Sequence, residues 1–171
     1  MRNFAILTLL PLLVLAAPSQ ASVLKPPSQA VVKSCLEAGP QPGVGVVEIP
    51  TSEINQEDDY RPGYSAEYTV FNGATVGFAT SKKSGAIIYH GRLYPITKAI
   101  LLPGSKDVAR PLVHIELASW MMLKGDGLQY LCASDNFDGV GRSGDFQKIR
   151  YGYILEVRKG GQLFFTNGVT D

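Results

Sequence analysis

The stretch YSAEYTVFNGATVGFAT, residues 64–80, decides the fold. Two runs rich in aromatic and β-branched residues, Tyr64–Phe71 and Ala74–Thr80, flank the dipeptide Asn72-Gly73. Asn-Gly suits a type I′ turn because both of its central residues need positive φ, so the segment predicts an antiparallel hairpin. Downstream the pattern repeats. Gly85–Tyr89 and Arg92–Ile96 flank His90-Gly91, a second tight turn, and Thr97–Leu102 runs extended into Pro103-Gly104. Pro111–Leu123 reads as the longest strand. In it Val113, Ile115, Leu117, Met121 and Leu123 face one way, and His114 and Glu116 the other, followed by Ala118, Trp120 and Met122. Lys124–Gly127 turns the chain and Leu128–Ala133 returns. Ser134–Asp145 reads as a polar Gly/Asp loop, and Ile149–Arg158, Gly160-Gly161 and Gln162–Thr166 as a final hairpin.

Upstream, Val44–Ile49 is a further strand, and the acidic segment Thr51–Gly63 reads as a surface loop. Ser28 is placed to cap a helix over 29–38, with Val31, Val32, Cys35 and Leu36 at helical spacing and Gly39-Pro40 as the stop. The whole predicts a mainly β domain: an antiparallel barrel or sandwich of eight to nine strands with one short N-terminal helix. No alternation of strands and helices is present, which excludes a doubly wound nucleotide-binding sheet.

Residues 1–21 have the form of an export signal, with Arg2, an apolar run from Phe4 to Ala17 and small residues in Ser19-Gln20-Ala21. The expected mature chain is a single β domain, residues 22–171, in the periplasm or secreted, with no membrane span. Removing Arg2 leaves 15 bases against 15 acids, so no basic field points to nucleic acid. The two cysteines, Cys35 and Cys132, allow one pairing. A bridge between them would pin the helix to the sheet and close a loop of ~100 residues, worth ~4–5 kcal/mol in the chain-entropy model.

Catalytic signatures are scarce. There is no G-x-S-x-G, P-loop, H-E-x-x-H or CxxC. His114 and Glu116, two residues apart on one predicted strand face, are the only base-and-orienter or metal-ligand pair in view, and an exposed polar face is the simpler reading. His90 falls in a tight turn and is expected to be exposed. Asp135, Asp138 and Asp145 share one loop without the spacing of an ordered calcium site. Tyr60, Tyr64 and Tyr68, with Arg61, read as packing residues or an interface cluster. No cofactor and no metal is expected, and no enzymatic activity.

Tyr68-Thr69-Val70-Phe71-Asn72-Gly73, followed by a strand pair, Trp120 and Lys124-Gly125-Asp126, resembles the layout of periplasmic c-type lysozyme inhibitors. The family's Ser-Gly-x-x-Tyr stretch before the tryptophan is absent, and Val70 stands where a half-cystine is expected. The resemblance implies a domain that occludes the cleft of a peptidoglycan hydrolase, with Lys124 approaching its carboxylates. By size, address and β content the chain is also similar to type VI secretion immunity proteins, which plug cell-wall amidases.

The expected function is therefore that of a periplasmic inhibitor or immunity protein that blocks a peptidoglycan hydrolase, either an amidase effector or a lysozyme, with a protruding loop. Ser105, Lys106 and Arg110 beside Pro103-Gly104, and Ser119, Lys124 and Asp126 around the Trp120 hairpin, are the expected partner-binding residues. The alternative is a non-catalytic envelope β domain with an apolar-ligand cavity lined by Phe71, Phe78, Trp120 and Tyr130.

Overall fold

Three hairpins set the architecture of the computed structural model, which describes residues 25–136 and 149–169. Asn72-Gly73, His90-Gly91 and Asp126-Gly127 all have positive φ at both positions, from 48° to 75°. This is type I′ geometry, whose twist matches that of the strands it joins. The turns connect β3 (Tyr64–Phe71) to β4 (Ala74–Thr80), β5 (Gly85–Tyr89) to β6 (Arg92–Pro95), and β8 (Ser119–Gly125) to β9 (Leu128–Asn136). β10 (Ile149–Glu156) and β11 (Leu163–Val169) form the last hairpin.

With β1 (Gly45–Glu48), β2 (Asn55–Arg61) and β7 (Ile100–Leu101) there are eleven strands among the described residues, more than the eight or nine expected. They form two sheets rather than a closed barrel, in the orders β1-β8-β9-β10-β11-β7 and β2-β3-β4-β5-β6. All pairings are antiparallel except that of β7 with β11, where Ile100 pairs with Phe164.

The sheets pack face to face. Val76, Phe78 and Ile87 from one meet Trp120, Leu131, Ala133, Tyr153, Leu155 and Phe165 from the other. The six-stranded sheet also buries its second face. Met121, Leu123, Tyr130, Cys132, Ile154 and Phe164 point away from the first core and onto helix α1 (Gln29–Leu36). Strict alternation along β8–β11 thus serves two apolar layers at once, and those strands read as nearly continuous apolar runs. Ser28 caps α1, its hydroxyl accepting from Val31 N–H at 3.4 Å. The Cys35–Cys132 disulfide ties α1 to β9, with a Cα–Cα distance of 5.7 Å. Two glycines make room for it: a Cβ on Gly125 would lie 2.7 Å from Val31 Cγ2, and one on Gly152 would lie 3.0 Å from Cys35 Sγ.

Three expectations need correction. Thr51–Gly63 is not all loop, because Asn55–Arg61 is an edge strand paired to β3, Asn55 opposite Tyr68 and Glu57 opposite Ala66. Its residues other than Tyr60 are exposed, so no apolar alternation marks it, and a charged edge strand discourages further pairing. A register shift between Glu57 and Arg61, with Asp59 at φ 58°, turns Tyr60 onto Ala66, Ala79 and Ile88 on the outer face of the five-stranded sheet. There Tyr60 sits 5.7 Å from Tyr68, with Arg61 over its ring.

Pro111–Leu123 is not one strand, since β8 begins only at Ser119. Leu117 N–H and Ala118 N–H both donate to His114 O, closing a turn. The apparent alternation came from Val113 and Ile115, which plug the inter-sheet core from an irregular strap, whereas Leu117 is 74% exposed. The strap is held down by phenols: Tyr153 OH donates to Pro111 O at 2.7 Å, and Tyr151 OH lies 3.0 Å from Leu112 O and 3.1 Å from Asp135 Oδ2. Third, Ser134–Asn136 continue β9 rather than opening a loop, and Asp135 is buried beside Tyr151. Asp138, Asp145 and the expected export signal lie outside the described residues. No helix among those residues is long and apolar enough to cross a membrane.

Candidate partner-binding pole

The tight turns converge at one end of the sandwich. Gln129, just past the Asp126-Gly127 turn, accepts from Val157 N–H through its carbonyl, which brings the β8–β9 tip to the start of the β10–β11 turn. The His90-Gly91 turn stands against both. Its strand ends and the β10–β11 turn enclose a groove of about 460 Å³ lined by Tyr89, His90, Arg92, Tyr94, Val157, Arg158 and Lys159. A second pocket of about 260 Å³ shares Tyr89 and His90 as a wall and adds Val47, Phe71, Asn72, Ala74, Met122 and Gln129. The first pocket is cationic and aromatic, and the second sets Val47, Phe71, Ala74 and Met122 beside Asn72 and Gln129. Neither is lined by a carboxylate.

The charges are held in different ways. Arg92 and Lys159 are exposed and have no acidic partner among the described residues. Arg158 is half-exposed, and its Nε forms an ion pair with Glu156 Oε2 at 2.9 Å. Glu156 itself is buried, so it fixes the guanidinium while leaving both Nη groups for another acceptor. Gly161 allows this turn, because a Cβ there would meet the Glu156 carbonyl. Tyr89 and His90 meet edge to face with ring centroids 4.6 Å apart. Burial first, and then neighbouring Tyr94, push the Tyr89 phenol above its ordinary range, so it remains a neutral donor. The chemistry on offer is anion recognition by Arg158, Arg92 and Lys159 beside a recess with an apolar side.

The six expected partner-binding residues do not form one site. Lys124 belongs to the pole: it is exposed on β8, two residues beyond Met122 on the same face, and pairs across the ladder with Gln129. Asp126 is at the same end, but its carboxylate accepts from Ser28 N–H at 2.8 Å and so anchors the start of α1. Ser119 begins β8 at the opposite end, five residues or ~17 Å of strand from Lys124. Ser105 and Lys106 lie along β11, where Ser105 Oγ shares a hydrogen bond with Thr166 Oγ1 at 3.0 Å and Lys106 N–H donates to Asn167 Oδ1 at 2.8 Å. Arg110 stacks on Phe165 at 4.4 Å and pairs with Asp107 at 3.3 Å. His114 and Glu116 share no strand face. His114 instead lines a cleft of about 290 Å³ with Glu57, Asp58 and Glu67.

The four residues of the alternative apolar cavity are also separated. Phe78 and Trp120 fill the inter-sheet core, Tyr130 lies under α1, and Phe71 reaches the pole. Arg92, Arg158 and Lys159 were missed by sequence reasoning. Their only signal is that each base flanks a tight turn, and the topology is needed to bring the turns together. Among the described residues, no three His, Cys, Asp or Glu side chains are grouped as metal ligands. No family model, curated protein or solved structure matches the chain.

Proposed function

We propose that the protein is an exported binding domain that acts without catalysis, as a periplasmic or secreted inhibitor or immunity protein of a peptidoglycan hydrolase. The target is an amidase effector or a lysozyme, and the binding face is the pole formed by the tight turns. One observation carries the reading: Arg92, Arg158 and Lys159, with His90 beside them, gather around Tyr89 and Tyr94, and no carboxylate lines the groove. Glycoside hydrolases present carboxylates in the cleft where they act. Cations carried on short turns can meet such a cleft, and arginine on carboxylate is a strong, directional contact. Lys124, the residue that the family resemblance points to, stands at the same pole. The disulfide accords with an exported chain.

The test is hydrolysis of labelled peptidoglycan by a c-type lysozyme and by an N-acetylmuramoyl-L-alanine amidase, each mixed with residues 22–171. We expect stoichiometric inhibition of at least one, weakened at high salt because exposed charges are screened. Exchanging Arg92→Glu and Lys159→Glu together should relieve inhibition while leaving the melting temperature unchanged. Undiminished hydrolysis by every enzyme of the panel at excess protein overturns the reading.

A further inference from the structure

We infer that the two adjoining pockets at the pole read a bipartite peptide segment of the protein partner, an acidic residue with a large apolar residue beside it. The inference rests on the binding-domain reading above and names the chemistry of the partner's segment. The cationic groove and the recess share one wall, Tyr89 and His90, so a single occupant can enter both. The groove supplies Arg92, Lys159 and the two Nη groups of Arg158, which the buried Glu156 holds through Nε. A carboxylate there gains charge-assisted hydrogen bonds, and the Glu156 carboxylate behind Arg158 is buried and does not line the groove.

The recess offers Val47, Phe71 and Met122 on one side, with Asn72 and Gln129 at its rim. At about 260 Å³ it lies below the range from ~300 Å³ upward typical of pockets for drug-sized ligands, and it is too small for a lipid chain. One leucine or phenylalanine side chain suits it. Met122 adds a flexible, polarisable wall that adapts to such a group. Beside the recess runs β1, a sheet edge. Ile49 N–H donates to Trp120 O, so by antiparallel alternation Val47 and Gly45 bond inward to β8. The backbone groups of Val46 and Glu48 then face outward, open to an extended segment. Val47 itself is 55% exposed at this edge. A peptide laid along β1 would place alternate side chains toward the recess, and its acid would reach the cations.

The probes are capped, amidated heptapeptides carrying one Phe and one Glu at spacings from adjacent to three apart, with Phe/Gln and Ala/Glu controls. Binding to residues 22–171 is read by fluorescence polarisation and by amide chemical shifts. At least one Phe/Glu spacing should bind, with both controls weaker by about tenfold or more, the scale of one charged hydrogen bond or one buried side chain. Shifts should map to Val47, Phe71, Tyr89 and Arg158. Arg92→Glu with Lys159→Glu should abolish binding of Phe/Glu. Val47→Asp, at an exposed position that tolerates it, should weaken the same peptide without unfolding the protein. Equal binding of Glu and Gln peptides, or shifts confined to another face, overturns the inference. Peptide binding without inhibition of any hydrolase removes the hydrolase as partner and leaves the site. Inhibition that survives Arg92→Glu/Lys159→Glu, with silent peptides, removes the site and leaves the hydrolase.

Discussion

Ala38 ends α1 in a conformation that suits it poorly. Its N–H donates to Cys35 O and Gly39 N–H donates to Ser34 O, the double bond of a Schellman cap, and its φ is 50°. Glycine adopts that conformation without a Cβ penalty. Ala38→Gly should therefore stabilise the protein by about 0.5–1 kcal/mol in denaturant titration. Gly125 is the opposite case. A Cβ there would lie 2.7 Å from Val31 Cγ2, and a valine in a helix has little rotamer freedom to retreat. Gly125→Ala should cost about 1–3 kcal/mol, read as a lower melting temperature with an unchanged pole.

At the scale of elements, the bridge between α1 and β9 can be removed cleanly. Replacing Cys35 and Cys132 by alanine frees a loop of 97 residues of sequence separation and should lower stability by ~4–5 kcal/mol, measured by urea unfolding against the oxidised parent. The hairpins were legible because each carries its own turn chemistry: Asn72-Gly73, His90-Gly91 and Asp126-Gly127 each begin with a residue that precedes glycine in a type I′ turn. The helix was legible from Ser28 and the spacing of Val31 and Cys35. β2 was not, because an exposed edge strand such as Gln56-Glu57-Asp58 is specified by its neighbour's backbone rather than by its own side chains. The strap at Val113 and Ile115 was misread because two plugs two residues apart imitate a strand. Of the candidate pole, the sequence singled out Lys124 but not Arg92, Arg158 or Lys159. No sequence pattern states that the β5–β6 turn will lie against the β10–β11 turn.

At the scale of the whole molecule, buried phenols link stability to alkaline pH. Burial first, then Asp126 and Glu156, push Tyr130 up to about 12 from an ordinary 10.0. Burial likewise raises Tyr151 and Tyr153, the two residues that hold the strap. A pKa raised in the folded state means that the unfolded chain loses its proton first. The stabilising contribution is complete below pH 10 and is lost as pH climbs from 10 toward about 12. Denaturant midpoints should thus be flat through neutrality and fall above pH 10. An equal fall in a Tyr130→Phe variant would assign the loss to the strap phenols instead.

The five-stranded sheet is one uninterrupted piece of chain, β2 through β6 in sequential order, whereas the six-stranded sheet starts with β1 and resumes only at β7. The meander's pairings are all between neighbouring strands, whereas β1 pairs with the distant β8 and Cys35 with the distant Cys132. The distant pairings carry the larger loop-closure cost and are expected to limit the folding rate. Closure of the Cys35–Cys132 bridge is therefore expected to report assembly of the six-stranded sheet, where α1 meets β9.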